Sequence, residues 1–339
     1  MKQNMSTPAA GQDGSIERIT IRSNGSPAMM SMLTAEALEL AVGAGNVELA
    51  ARLLPMVRKN KGRRKSGMQD PVFKAFMLAA GAGSVEMVRL LAGWADPATN
   101  NCAALRFAAN KGNLSCVEFL LPLSSPCSAR GMALSRAAAN GHAECVAAIL
   151  PFARAEVKGA EALTLAVEGG WHDCIKILAG ESQLQEPECK AVETAACRGD
   201  SEALILMAPH ATAEQLVEAI GAAAQEGHAK CAILARELSL AAGASRRVVN
   251  QAVCDAARSA AMRGQTSCLE EMLPLFRPPK GCFGLADLAR EVRALEKSGR
   301  CWTPLGPAAD TIEVFLEQKT LAASLGPTGV EPRRAGPRL

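Results

Sequence analysis

The segment Phe107-Ala108-Ala109-Asn110-Lys111-Gly112 decides the fold, because close copies of it recur along the chain. The copies are Leu78–Gly83 (LAAGAG), Arg136–Gly141 (RAAANG) and Leu165–Gly170 (LAVEGG). The last glycines of the four segments fall at positions 83, 112, 141 and 170, in steps of 29 residues. A fixed period of this size is typical of a solenoid, in which each unit is too small to bury its own apolar face and stacks on its neighbours.

The repeat extends in both directions when positions are numbered from this glycine as zero. Position −4 is alanine in all eight candidate units, and position −3 is alanine or valine. The eight glycines are Gly45, Gly83, Gly112, Gly141, Gly170, Gly199, Gly227 and Gly264. Their spacings of 38, 29, 29, 29, 29, 28 and 37 residues place one insertion near the start of the array and one near its end.

Each unit is predicted to form two helices. Leu134, Ala137 and Ala138 have the i, i+3, i+4 spacing of one helix face before the glycine, and Val117 and Leu120 are three residues apart on a second helix after a glycine. Glycine between two helices favours a left-handed residue that ends the first helix. The polar residues directly after the glycine in three units are expected to cap the second helix, namely Asn46, Ser84 and Asn113.

These residues resemble the ankyrin-repeat pattern L-x-L-A-A-x-x-G-H-x-E-x-V-x-x-L-L. Leu105–Leu121 (LRFAANKGNLSCVEFLL) follows it closely, and Ala138–Val146 (AANGHAECV) contains its Gly-His turn and its glutamate. The resemblance covers roughly residues 34–275 and implies an all-α, ankyrin-like α-solenoid of about eight helix-turn-helix repeats with a helical C-terminal cap. The family's Thr-Pro-Leu-His start is missing, and the period is shorter than the family's, so β-hairpin fingers are expected to be shortened or absent.

The domain organisation follows from the repeat. We expect a disordered N-terminal tail over residues 1–31, a solenoid over 32–275 with a basic insertion at 57–68, a helical cap over 276–325 and a disordered tail over 326–339. Within the cap, helices are predicted at 285–297 and 308–323.

Composition narrows the classes of function. Aromatic residues make up 3% of the chain and tyrosine is absent, which argues against a base-stacking nucleic-acid surface. The net charge is +3, and no apolar run approaches the length of a membrane span. We therefore expect a cytoplasmic protein, a monomer, with a protein partner rather than nucleic acid or membrane.

One basic run stands out within the first insertion. It contains six cationic residues: Arg58, Lys59, Lys61, Arg63, Arg64 and Lys65. Three interpretations stay open, namely a solvated loop, a nuclear import signal that would add the nucleus to the localisation, and a phosphate-binding patch for nucleic acid or lipid.

Five cysteines share position +4, which other units fill with Leu, Met or Ala, and they are Cys116, Cys145, Cys174, Cys231 and Cys268. This exchange indicates buried, reduced thiols in the core. His-Cys pairs such as His142 and Cys145 supply two ligands each, too few for a zinc site. With no catalytic motif found either, we expect a protein that is not an enzyme and has neither catalytic residues, cofactor nor metal.

A partner-binding surface is predicted on the first helix of each unit, opposite the packed alanines, mainly at positions −6 and −2. An idle solvent face would show the same sequence variation. The candidate residues are Arg106, Asn110, Lys111, Asn140, Thr164, Glu168, Glu193 and Arg198.

The main functional hypothesis is a non-enzymatic protein-interaction scaffold that binds a partner along the concave face of the stack. The alternative is a secreted bacterial effector or host-directed regulator, in which residues 1–31 act as an export signal that is not cleaved. The composition of this segment is similar to that of such signals, whereas it has no basic region followed by an apolar stretch like a secretory signal peptide.

Overall fold

The computed structural model describes residues 27–59, 70–124, 129–153, 161–180, 189–278, 284–298 and 304–324. All regular structure in these ranges is helical. The first eight helices are α1 (Pro27–Gly43), α2 (Val47–Lys59), α3 (Pro71–Ala82), α4 (Val85–Ala92), α5 (Thr99–Lys111), α6 (Leu114–Leu120), α7 (Ala129–Ala139) and α8 (Ala143–Ala153). The next eight are α9 (Glu161–Gly169), α10 (His172–Ala179), α11 (Ala191–Arg198), α12 (Ser201–Met207), α13 (Ala213–Gln225), α14 (Ala229–Ala241), α15 (Arg246–Met262) and α16 (Thr266–Met272). The last two are α17 (Leu285–Lys297) and α18 (Gly306–Ser324).

The first sixteen helices form eight consecutive pairs, one for each repeat unit. We call the helix before each repeat glycine the A helix and the one after it the B helix. Each A helix packs on the A helices of the neighbouring units, and each B helix on the neighbouring B helices. The predicted all-α, ankyrin-like stack of helix pairs is therefore confirmed. Three connections between units are fully described, at 93–98, 208–212 and 242–245, and they contain turns and no strand.

The eight repeat glycines end the A helices as the sequence predicted. All eight have a left-handed φ, between 70° and 84°. The residue after each glycine donates its backbone N–H to the carbonyl of the alanine at −4, as Asn113 does to Ala108 at 3.0 Å and His142 to Ala137 at 3.0 Å. This is the Schellman arrangement, in which a residue without a Cβ lets the chain reverse while the last carbonyls of the helix stay hydrogen-bonded.

The core is continuous from the first unit to the last. One cluster of buried apolar residues runs from Leu38 in α1 to Met272 in α16. The alanines at −4 and −3, such as Ala108 and Ala109, are fully buried, because small side chains let neighbouring A helices come close. B helices contribute larger residues, for example Val117, to the same cluster. Stability therefore comes from contacts between adjacent units, as expected of a solenoid.

The two layers of the stack are not packed equally tightly. A helices make more extensive contacts with neighbouring A helices than B helices make with neighbouring B helices. The A helices therefore form the more closely packed layer of the stack. We call the surface formed by their exposed side chains the inner surface.

A ninth helix pair ends the array. Helices α17 and α18 pack on each other and on α15 and α16 through a second buried cluster that includes Leu288, Val292 and Ile312. Arg293 of α17 bonds Glu313 (Nη2 to Oε2, 2.9 Å) and Asp310 of α18. Both helices occupy the positions predicted from the sequence, with α18 beginning two residues earlier.

Helix α5 has an irregular start that the sequence did not predict. Asn100, Asn101 and Cys102 have φ values of 55°, 54° and 52°, which form one left-handed turn before the right-handed part of the helix. The Arg106 guanidinium donates to the carbonyl of Asn100 at 3.0 Å. Because left-handed residues other than glycine cost about 1 kcal/mol each, this bond and the burial of Cys102 help to hold the turn in place.

The capping prediction was right for one of three residues. Asn46 Oδ1 accepts from the N–H of Leu49 at 2.9 Å and caps α2. Ser84 and Asn113 make no such bond to α4 and α6, so the prediction was wrong for them. The side chain of Asn113 turns toward the preceding unit instead, as described below.

Candidate partner-binding surface

In the third, fourth and fifth units the side chain at +1 links the unit to the one before it. Asn113 Nδ2 donates to the carbonyls of Ala80 and Gly81 in the preceding A helix, at 2.8 and 2.9 Å. His142 Nε2 lies 3.3 Å from the carbonyl of Asn110, and Trp171 Nε1 donates to that of Ala139 at 3.1 Å. Each link includes an acceptor at −2, and Asn113 also bonds Ala80 at −3; both positions lie at the end of an A helix, where carbonyls lack helical partners. These +1 side chains therefore satisfy the helix end of the previous unit.

The same side chains lie over the glycine of the previous unit. A Cβ atom on Gly112 would come within 2.5 Å of the His142 ring, and one on Gly199 within 2.7 Å of the His228 ring. His142, at the Gly-His turn of the ankyrin pattern, thus makes both a hydrogen bond and a packing contact with the previous unit. Glycine is required at these turns for its left-handed φ and for the space that it leaves.

Asp200 is the exception among the +1 residues, and its chemistry explains why. A carboxylate cannot donate a hydrogen bond to a carbonyl, so Asp200 accepts instead. It receives the N–H of Ala203 at 3.0 Å, which caps α12, and contacts His172 Nε2 at 2.9 Å. His172 Nδ1 also lies 3.5 Å from the Glu202 carboxylate. The link between the fifth and sixth units therefore runs from His172 to Asp200 and not back over Gly170, above which the space is open.

Four of the predicted partner-binding residues lie in the third and fourth units, and two of them are in contact. Asn140 Nδ2 donates to Asn110 Oδ1 at 3.1 Å, which joins α5 to the turn after α7. Lys111 is exposed, one turn after Phe107. Arg106 is only half exposed because it supports the left-handed turn and contacts Met132, so part of its predicted role is structural.

The other four predicted residues continue the A-helix surface toward the C-terminus. Glu168, Glu193 and Arg198 are exposed, and Thr164 is half buried. The acidic side chains of Glu161 in α9 and Glu218 in α13 are exposed as well. The inner surface of the fifth to seventh units therefore carries more acidic than basic groups, although its role in binding remains a prediction.

Three exposed large apolar residues of consecutive A helices lie at −5, which the sequence analysis did not single out. We call the set Leu40, Leu78 and Phe107 the −5 column. These side chains are 74%, 47% and 42% exposed in the first three A helices. The signal in the sequence was a large apolar residue at one fixed offset in three consecutive units, next to an alanine pair that already filled the core.

The basic run lies largely outside the described residues. Helix α2 continues through Arg58 and Lys59, so the first residues of the basic insertion predicted at 57–68 are helical. Lys61, Arg63, Arg64 and Lys65 are outside the described ranges, as are residues 1–26 and 325–339. The import-signal, phosphate-binding and export-signal hypotheses therefore stay predictions.

The cysteines at +4 are core residues, as predicted. Cys116, Cys145, Cys174, Cys231 and Cys268 are at most 1% exposed. Burial raises the pKa of the Cys145 thiol to about 11, and the carboxylates of Glu144 and Glu118 add to this shift. A neutral buried thiol is a poor nucleophile, so this column contributes packing and not chemistry.

An open groove lies between the seventh and eighth units on the A-helix side. Its volume is about 500 Å³. The lining residues are Gln225, Asp255, Arg258, Ser259, Met262 and Arg263. Arg263 pairs with Glu226 at 3.0 Å and Arg258 pairs with Glu291, so its cations are already engaged.

Two further findings concern the described ranges alone. Their His, Cys, Asp and Glu residues form no group of three or more that could hold a metal ion. None of their helices is both long enough and apolar enough to cross a membrane.

Comparison with known proteins supports the repeat assignment. A family model described as ankyrin repeats (3 copies) matches residues 38–130 and 105–191. No curated protein matches the chain. The matched residues include the first five repeat glycines, from Gly45 to Gly170. Each of the five has a left-handed φ and ends an A helix. Period, turn geometry and family match agree, and residues 38–191 are ankyrin repeats.

Proposed function

We propose that this chain is a non-enzymatic scaffold that binds a protein partner along the inner, A-helix surface of the repeat stack. Ankyrin repeats are in general protein–protein interaction modules. The single observation that carries the proposal is the division of the side chains between the two surfaces of each A helix. Ala108 and Ala109 are fully buried, whereas Phe107 and Lys111 on the opposite side are exposed.

The inner surface suits a protein partner for two reasons. It is continuous over eight units, so it offers an extended strip rather than an enclosed cavity. It also mixes exposed apolar side chains with charges of both signs, which is the composition of a protein interface. We further propose that the chain acts as a monomer, since α17 and α18 close the repeat stack at its C-terminal end. We also propose that it acts in the cytoplasm.

The experiment is capture of partners on the immobilised full-length chain, identification by mass spectrometry, and calorimetric titration of the purified partner. Two A-surface variants, Lys111→Glu and Glu168→Lys, are compared with two B-helix variants, Lys176→Glu and Lys230→Glu. All four residues are exposed. We expect at least one A-surface variant to weaken binding about tenfold or more, and both B-helix variants to bind like the parent chain. Loss of binding in the B-helix variants alone would place the interface on the outer layer and overturn the proposal.

A further inference from the structure

The first four units differ from the rest of the inner surface in both hydrophobicity and charge. The −5 column exposes three large apolar side chains in adjacent A helices. In the fourth unit, position −5 is Arg136, which is exposed, and in the fifth and sixth it is Leu165 and Thr194, which are half buried. Exposed large apolar groups at this position therefore lie in the first three units.

The apolar column is one continuous surface because its members share a register. Helices α1, α3 and α5 pack side by side, and each −5 residue lies five positions before the repeat glycine of its unit. Phe107 Cδ1 lies 3.4 Å from the position that a Cβ on Gly81 would occupy, so its ring rests on the backbone of α3. Adjacent helices in such a layer are separated by about 8–10 Å, which is the spacing of the column.

Three cations lie beside the Leu78 and Phe107 end of this column. Lys74 lies one turn before Leu78, Lys111 one turn after Phe107, and Arg136 replaces the apolar residue in the next unit. All three are exposed, and among the described residues no carboxylate lies within salt-bridge distance of them. The basic part is limited on both sides, by Glu36 in the first unit and by the acidic residues from the fifth unit onward.

From this arrangement we propose that the −5 column and its three cations bind an acidic amphipathic helix of a partner protein. The inference rests on the proposed scaffold function and specifies the chemistry of the partner. A helix rises 1.5 Å per residue, so apolar residues seven positions apart lie about 10.5 Å apart and match the column. Glutamate or aspartate on the flanks of that helix pairs with Lys74, Lys111 and Arg136.

The charges around the column favour a protein segment over a membrane surface. The exposed carboxylates of Glu36 and of the fifth to seventh units lie on the same layer of A helices and would repel the anionic headgroups of an extended membrane. A single helix of about 10 Å diameter can contact the three cations without reaching these carboxylates. The column and its cations therefore have the chemistry for recognition of an amphipathic helix.

The test uses a designed peptide of about 18 residues, or five helical turns, with leucine on one face and glutamate elsewhere. Fluorescence anisotropy measures its binding to the full-length chain. One control peptide has lysine in place of every glutamate, and a second has the same composition in an order without an apolar face. We expect both controls to bind about tenfold more weakly or worse, because each removes one of the two complementary features.

Variants of the chain locate the site. Phe107→Ala, Leu78→Ser and Lys111→Glu are each expected to weaken binding of the acidic peptide about tenfold. Ile205→Ala and Lys176→Glu are the matched controls, since Ile205 is 54% exposed in α12 and Lys176 is exposed in α10. Both controls should bind as the parent chain does. Circular dichroism melting curves establish that each variant is folded, and Leu78→Ser keeps the test valid if Phe107→Ala perturbs α3.

Three results would overturn the inference. The acidic peptide fails to bind, the column variants bind it unchanged, or the lysine peptide binds as tightly as the acidic one. Phosphatidylserine-rich vesicles provide a fourth outcome, because binding of vesicles in place of the acidic peptide, lost in Lys111→Glu, would make the surface a lipid site. The scaffold proposal is judged separately on the captured partner. If that partner depends on Glu168 and not on Lys111, the scaffold proposal stands while this inference fails.

Discussion

Replacing Gly141 by alanine should destabilise the stack much more than the same replacement at Gly170. Both glycines end an A helix, with φ values of 76° and 71°. They differ in what lies above them. A Cβ on Gly141 would collide with the indole ring of Trp171, whereas a Cβ on Gly170 would meet nothing within 4 Å. The pair therefore separates the cost of the backbone conformation from the cost of the contact between units.

The expected magnitudes follow from these contacts. Left-handed alanine costs about 1 kcal/mol, part of which is offset because alanine also restricts the unfolded chain. Gly170→Ala should thus lower the free energy of unfolding by less than about 1 kcal/mol. Gly141→Ala must in addition displace Trp171, which loses its 3.1 Å hydrogen bond to Ala139, about 1 kcal/mol, and part of its packing, about 1–2 kcal/mol. The total for Gly141→Ala is about 2–4 kcal/mol.

The assay is urea unfolding followed by far-ultraviolet circular dichroism, with amide hydrogen exchange of α7 to α10 as a local readout. A double-mutant cycle with Trp171→Ala tests the cause. In the Trp171→Ala background the ring is gone, so Gly141→Ala should cost no more than Gly170→Ala does in the parent chain. Equal costs for the two glycine variants in the parent chain would refute the reasoning. So would an undiminished cost of Gly141→Ala in the absence of the indole.

Three other predictions concern a helix cap, a thiol and the terminal helix pair. Asp200→Ala should lower the free energy of unfolding by about 1 kcal/mol, because it removes the cap of α12. Ser84→Ala should change this free energy little, because Ser84 makes no cap bond to α4. Urea unfolding that finds equal costs for the two variants would contradict this. At pH 8 the Cys145 side chain, with a pKa of about 11, should be a thiolate in about one native molecule in a thousand. Alkylation of Cys145, followed by mass spectrometry, should therefore be slow. Burial raises this pKa above its unfolded value of about 9. The stability that Cys145 contributes is therefore complete below about pH 9 and is lost as the pH rises through about 11. A free energy of unfolding that increases over this pH range would contradict the raised pKa of Cys145. Arg293→Ala should loosen α18, because its bonds to Glu313 and Asp310 join α18 to α17, and hydrogen exchange in α18 should accelerate while α3 to α10 stay protected.

The repeat units themselves were predictable because their determinants are local. Alanine at −4 and −3 and glycine at zero specify a helix that ends in a left-handed turn, and those residues lie within five positions of one another. Cysteine at +4 was recognised as a core residue because it exchanges with Leu, Met and Ala. The ends of α17, Leu285 and Lys297, were also predictable from helical periodicity.

The contacts between units were not predictable in the same way. Asn113 was expected to cap its own helix, since the sequence places it directly before α6. Its side chain bonds Ala80 and Gly81 instead, some thirty residues earlier, because stacking brings their carbonyls closer than its own helix N–H groups. The left-handed turn from Asn100 to Cys102 also escaped prediction, although it is local, because the hydrogen bond from Arg106 to the carbonyl of Asn100 leaves no pattern in the sequence.

The amino-acid sequence by itself determined the helix pairs, their number, the turns between them and the residues that pack inside the stack. Only the tertiary structure decided which side chains join neighbouring units and which large apolar residues stay exposed on the inner surface. The physical reason is that helix ends and buried faces depend on residues a few positions apart, whereas side-chain partners and exposure depend on the distance to a neighbouring unit. That distance is set by close packing of alanines such as Ala79 and Ala108, which are fully buried between the units that they bring together.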